Sequence, residues 1–479
     1  MKNSSDNRSA DNKIKQDLIF LLGHDKCLFD LEDRWTYAFD ASGRQAVPLA
    51  VVFAACPEDV CAVMRYASTR RIPVVPRGAG SGLTGGAVPA AGGIVLVLER
   101  MNRILEIDTE NLCAVVETGV ITADLQKSAE KKGLFYPPDP ASATFSTIGG
   151  NIAENAGGMR AAKYGVTKQY VLGLEVVLPD GRLITLGSKC IKDVAGYSMT
   201  ELFVGSEGTL GIITKAVVRL VNLPETTKTL AVCFSGIQAA GRVVPLLLKS
   251  GVVPCTLEFI DSFCLQAVRN MGMPDDIAEL IPPDTRAMLL IELDGTSDAV
   301  EKDAQTVRNL CETCSMLSFH SAENPEERDR LWAVRRSIHG ALTSLCPQWL
   351  EEDIAVPPAS IPVMLEKLSS LARKENLRIL SFGHYADGNI HLSVSEAAAP
   401  LSLERTEDIT RKIFSLTVSL GGRIAAEHGI GLVKKEYLGL NLDDATLDLA
   451  RQIKKMLDPH GILNPGKIFP DVSGTKAKT

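Results

Sequence analysis

Aromatic residues are scarce in this 479-residue chain, at 5%, and basic residues do not outnumber acidic ones: 51 Lys and Arg stand against 58 Asp and Glu, for a net charge of -7. With no basic strip interleaved with stacking rings, nucleic acid is excluded as a partner. No apolar run approaches the eighteen residues that a membrane-spanning helix needs. No segment repeats, so solenoids and propellers are excluded. The eleven cysteines are scattered and odd in number, and no C-x2-C-x2-C spacing offers a home for an iron–sulfur cluster. Without a secretory leader, that usage predicts a reduced, cytoplasmic protein that meets a membrane only through a partner. Cys311 and Cys314 form a lone C-x-x-C, read as structural.

What remains is enzyme-like. A length of 479 residues is too great for one core and predicts two or three domains. The polar residues 1–13 and 471–479 read as flexible tails. Pro57 opens a helix over 58–71 with Val60, Val63, Met64 and Ala67 on one face. Strands are expected at 72–75, 93–98, 114–118 and 211–220, and a hairpin at 171–186 around the Pro179-Asp180-Gly181 turn. Thr122 is expected to cap a helix ending before Gly133. Leu223 to Thr226 marks the domain boundary, with a strand at 287–292 and a helix at 361–373 beyond it. Strands and helices that alternate without a strict βαβ rhythm predict an α+β fold.

Three glycine-rich loops stand out. Residues 78–86 carry five glycines directly after a strand, at 78, 80, 82, 85 and 86. A second cluster runs from Ser146 through Gly149, Gly150, Asn151 and Asn155 to Gly157 and Gly158; a third runs from Gly205 through Glu207 and Gly208 to Gly211. Backbone N–H groups without Cβ atoms in the way can close on a diphosphate. The first loop lacks the helix-opening context of a Rossmann site. Turn-making accounts for one such loop but not for an ordered set of three, which points to a dinucleotide.

Three of the seven histidines gather near the C-terminal end. His384 and His391 lie seven apart across an Asp-Gly-Asn turn, so two extended segments could bring both imidazoles to one point. Glu427 offers a carboxylate and its neighbour His428 an acid/base group. Two histidines and one carboxylate suit a reactive metal; a polar hairpin with satisfied surface histidines would also fit. Asp387 is assigned to the turn rather than to the ligands.

The sequence Pro76 to Gly86, Pro137-Pro138-Asp139-Pro140, Gly149-Gly150-Asn151 and Gly205-Ser-Glu207-Gly208, in that order, resembles the FAD domain of the vanillyl-alcohol oxidase / p-cresol methylhydroxylase flavoproteins. Trp332-x-x-Arg335, the His384–His391 segment, Glu427-His428-Gly429 and Asn464-Pro-Gly-Lys467 resemble its D-2-hydroxy-acid dehydrogenase branch, which includes glycolate oxidase flavoprotein subunits and D-lactate dehydrogenases. The resemblance spans about residues 45–470.

It implies a tail and arm over 1–44, an FAD domain of p-cresol methylhydroxylase type over 45–223, an α+β cap domain over 224–425, and a helical segment over 426–479 returning to the flavin. The implied FAD contacts are Pro76, Arg77, Gly78, Ala79, Gly80, Ser81, Gly82, Pro138, Asp139, Thr147, Gly149, Gly150, Asn151, Asn155, Gly157, Gly158, Gly205, Glu207, Gly208, Gly211, Ile212 and Asn464. The first loop has no histidine, so the FAD is expected to be noncovalent. The resemblance assigns a divalent metal, zinc foremost, to His384, His391 and Glu427. It makes His428 the general base and Arg335, or its neighbour Arg336, the clamp on the substrate carboxylate. His339 and Ser393 stand where D-2-hydroxyglutarate members have Thr and Asn, and a lysine they carry is replaced near Glu351 and Glu352. These departures favour D-lactate or glycolate, with D-2-hydroxyglutarate, another hydroxy acid or a docking flavin subunit as alternatives. The electron acceptor is left open among a quinone, a cytochrome, an electron-transferring flavoprotein and an iron–sulfur subunit.

Overall fold

The structure, a computed structural model, describes residues 3–345, 349–396 and 401–470. The chain divides into two units, one of residues 1–156, 166–223 and 427–479, the other of 157–165 and 224–426.

The first unit holds two main sheets. One has four strands in the order Cys27–Leu28, Ala50–Phe53, Ile94–Val97, Val74–Arg77, and its last three strands are parallel. The helix Pro57–Arg70 makes the crossover, with Val60, Val63, Met64 and Ala67 buried on its inner face. The other sheet is antiparallel and five-stranded, in the order Ile104–Asp108, Cys113–Glu117, Ile212–Arg219, Val171–Val177, Leu183–Gly187. Its last two strands are the expected hairpin. The C-terminal segment is built into this unit: Leu463 bridges Val74 in parallel, and the half-buried Lys454 Nζ donates to the carbonyls of Thr209 and Leu463.

The second unit is a seven-stranded antiparallel sheet. Its interior strand Ala287–Gly295 is buried on both faces; Met288 and Leu290 join one core, while Leu289 and Ile291 face the other way. The helices Ser262–Asn270, Pro325–Arg336 and Ile338–Leu345 supply the first core with Leu265, Leu331, Trp332, Ile338 and Leu342.

Several local expectations are corrected. Residues 3–22 form a helix, Asn3–Leu22, rather than beginning as a loose tail. Leu18 and Leu22 enter the core, and Asp17 accepts from Tyr66 Oη and Arg70 Nη2. The strand expected at 72–75 lies at Val74–Arg77, because its ladder to Ile94–Val97 begins at Val74. Helix Thr122–Glu130 is preceded by Ile121 as its cap; the Thr122 hydroxyl instead bonds Ser146 and receives the Asn151 amide. The second glycine cluster contains a short helix, Ile148–Glu154. The tail expected at 471–479 lies outside the described residues.

Burial of Leu18, at 0% exposure, makes the N-terminal helix part of the fold. Leu18→Ala should lower stability by about 2–5 kcal/mol, read as a fall in the urea midpoint of the holoprotein.

Candidate flavin cradle and histidine centre

In the first unit, the strand Val74–Arg77 delivers the chain into the glycine loop. Among the described residues, no group accepts a hydrogen bond from the N–H groups of Gly78, Ala79, Gly80, Ser81 or Gly82. Five successive half-buried donors without acceptors call for an anionic ligand. Gly80 sits at φ +70°, and a Cβ there would fall 2.2 Å from the Arg77 guanidinium. Arg77 is folded beneath its own loop: Nη1 donates to Phe39 O at 2.7 Å, and the guanidinium lies over the Tyr37 ring. It therefore supports the loop from below.

The other expected contacts divide. The N–H of Gly149 is taken by Thr118 O, and that of Gly150 by Thr147 Oγ1. Asn151 is tied to Thr122, and Asn155 Oδ1 accepts from Lys168 N. Pro138 O accepts from Gln126 Nε2. Gly211 is locked against Val176 and Phe203, and Ile212 is a core residue. Gly157 and Gly158 fall in the other unit. Asn464 Nδ2 donates to Gly86 O and Glu207 O, while its buried Oδ1 meets no donor among the described residues, which suits a ligand N–H.

Beside the loop lie two carboxylates, Glu154 and Glu207, and Lys467, which donates to Gly85 O and Val88 O. Burial pushes both carboxyls up and the Lys467 ammonium down to about 8. Glu207 accepts from Ile430 N at 2.8 Å and Gly431 N at 2.7 Å. His428 stands just before these residues, its carbonyl accepting from Thr84 Oγ1 at 3.0 Å and its Nε2 3.8 Å from Glu427 Oε1.

In the second unit, the strands Leu377–His384 and Asn389–Glu396 pair with Phe382 opposite His391. The two histidine rings are thereby brought together, 5.2 Å between centroids and perpendicular. Each histidine also faces an acid across a strand pair: Glu258 opposite His384, Asp353 opposite His391. His384 Nδ1 lies 2.5 Å from Glu258 Oε1, and His391 Nδ1 lies 3.5 Å from Asp353 Oδ1. A carboxylate on Nδ1 fixes the tautomer that offers Nε2 to a metal.

Arg335 reaches the same place from the last turn of its helix, with Nε 2.6 Å from Glu258 Oε2 and its guanidinium over the Phe382 ring. Arg336 is exposed and turned to Asp329 O, which separates the two candidates. Burial raises the Glu258 carboxyl, but the charges of His384 and Arg335 and their hydrogen bonds overcome it and hold the group down at about 2. Asp353 is wholly buried and accepts from Asn389 Nδ2 and Ala426 N. Sequence reading passed over Glu258, Asp353, Glu154 and Thr84. An acid inside the apolar run Thr256–Asp261 was the available signal for the first.

Residues 48–187 match the FAD binding domain family, and residues 223–468 match the family of FAD linked oxidases, C-terminal domain. The chain is 42% identical to the glycolate oxidase subunit GlcD of Bacillus subtilis over 95% of its own length and 96% of that protein's. It is 34% identical to a D-lactate dehydrogenase of Anaerostipes hadrus, covering 92% and 93% of the two chains. The solved structure of p-cresol methylhydroxylase superposes with a TM-score of 0.77 at 18% identity, covering 97% of both chains, and shares the fold. The family matches thus define an FAD-linked oxidoreductase, with the fold seen in p-cresol methylhydroxylase. This chain belongs to the FAD-linked oxidases.

Glu258→Gln leaves Arg335 buried beside a neutral partner and should destabilise the protein by about 3–5 kcal/mol at pH 7. Because the folded-state pKa is depressed from 4.5 to about 2, the carboxylate's contribution is present above pH 4.5 and fades towards pH 2. The gap between wild type and variant in urea denaturation should close over that window.

Proposed function

We propose that the protein oxidises a small D-2-hydroxy acid, D-lactate or glycolate, to the 2-oxo acid and passes the electrons to a separate acceptor. The reading is carried by the paired histidines, each backed by a buried carboxylate on a neighbouring strand, in a chain that belongs to an FAD-linked family. Noncovalent FAD, which the 78–82 loop and Asn464 would hold, would supply the acceptor for the hydride leaving C2. His384, His391 and Glu427 are proposed to hold a divalent metal, zinc foremost, whose Lewis acidity lowers the pKa of the substrate hydroxyl.

The remaining work is done by side chains. His428 takes the hydroxyl proton on its imidazole as the C–H bond breaks. Arg335, with Nε engaged by Glu258, turns its two terminal nitrogens to the substrate carboxylate in parallel bonds. Glu351 supports the choice of a monocarboxylate. It lies two residues before Asp353 on the same strand, hence on the same sheet face, opposite Ser393 and paired with His339 at 3.3 Å. A second substrate carboxylate would meet its negative charge. Among the described residues no helix is long and apolar enough to cross a membrane, and we place the protein in the cytoplasm. Its acceptor is a quinone, a cytochrome, an electron-transferring flavoprotein or an iron–sulfur subunit.

Anaerobic reduction of the bound flavin by a panel of D- and L-2-hydroxy acids, with and without chelator, tests the reading. D-lactate or glycolate should bleach the flavin and chelator should abolish bleaching; a flavin reduced by neither acid would overturn it. His391→Ala should lose metal and turnover while keeping FAD. His428→Ala should keep both metal and FAD but reduce its flavin about 10²–10⁴ times more slowly. Metal content and single-turnover rates together separate the two.

A further inference from the structure

Glu207 lies in the third glycine cluster, where the resemblance assigns it to the flavin. Its surroundings point elsewhere. Both carboxylate oxygens are engaged by successive backbone N–H groups of one segment, Oε1 by Ile430 and Oε2 by Gly431. The residue is 7% exposed. Its own backbone is fixed at both ends, the N–H donating to Ala153 O and the carbonyl accepting from Asn464 Nδ2. Held so, it takes a left-handed conformation at φ +50°, one that a non-glycine residue adopts only when its neighbours enforce it.

The segment it grips begins at His428. Two residues before Gly431, Gly429 has φ +80°, and a Cβ there would lie 3.2 Å from Glu207 Oε1 and 2.3 Å from Glu154 Oε2. Only a bare backbone lets the chain close so tightly over the carboxylates. From the other side Thr84, in the loop that follows the unpartnered donors, gives its hydroxyl to His428 O. Its carbonyl receives Leu432 N at 2.7 Å. The histidine backbone is therefore clamped between the glycine loop and Glu207.

We propose that Glu207 is a positioning residue for His428, its carboxylate fixing the backbone that carries the imidazole in place against the flavin cradle. This rests on the reading of His428 as the base. Two successive N–H groups received by one rigid, buried side chain fix the main chain at two points. A general base displaced by about 1 Å loses on the order of 10²-fold in rate. In Glu207→Gln one of the two N–H groups faces an amide NH2 instead of an acceptor, so the clamp opens at one side while volume is kept.

The test is single-turnover flavin reduction by the better of D-lactate and glycolate, in FAD-loaded protein of four kinds: wild type, Glu207→Gln, His428→Ala and the double variant. Glu207→Gln should keep its FAD and its substrate dissociation constant, and lose about 10–100-fold in the reduction rate constant. The double variant should be no slower than His428→Ala, because a residue that acts through the imidazole has nothing left to position. Thr84→Val should show the same non-additivity with a smaller loss, and decides the matter if Glu207→Gln does not fold. The inference is overturned if Glu207→Gln sheds FAD, reduces as fast as wild type, or multiplies the loss of His428→Ala. If His428→Ala itself is as fast as wild type, the base assignment fails and the positioning role falls with it; a slow His428→Ala beside a fast Glu207→Gln leaves the base standing and removes only the clamp.

Discussion

A carboxylate shut off from water must find its partners inside the fold, and Glu258 finds two, the Arg335 guanidinium and the His384 imidazole. Most of the chemistry of the second unit is arranged by that need. The acid sits in a strand otherwise made of core residues, so its partners must come to it: one from the neighbouring strand, one from the end of a helix. Their orientations are set together, an imidazole by its Nδ1 and a guanidinium by its Nε. Asp353 faces His391 in the next strand pair in the same manner, with its second oxygen occupied by a backbone N–H. A sheet face that could have been plain hydrophobic core becomes a row of two imidazoles with a carboxylate on either side.

The first unit solves the opposite problem. Its glycine loop exposes donors rather than charges, and donors left half-buried without acceptors destabilise a fold. A diphosphate bound there would satisfy them, so an FAD held as proposed would raise the stability of this unit by mass action.

Much of this was legible in the sequence. The glycine loops announced themselves by density, and the His384–His391 hairpin by two imidazoles flanking a turn. Both depend on local spacing, which a chain displays directly. What escaped depends on pairing at long range. Glu258 and His384 are 126 residues apart and meet only because two strands adopt one register; nothing local to either announces the other. Glu207 was legible as part of a motif but not for its partners, since the N–H groups it holds lie 223 and 224 residues further on. The N-terminal helix was misread for a related reason. Residues 3–13 are polar, and the helix they begin is anchored only further on, where Leu18 and Leu22 enter a core made with later residues.

The return of the C-terminal segment to the first unit also orders events in time. Val74 cannot pair with Leu463, nor Glu207 with Ile430, until the ribosome has passed through the whole of the second unit. At roughly 5–20 residues per second, that interval is on the order of tens of seconds. Through it the nascent flavin-binding half waits with its cradle open at one side. These contacts can form only after translation has ended, and a chain cut short by its last few dozen residues would be released without the Val74–Leu463 bridge.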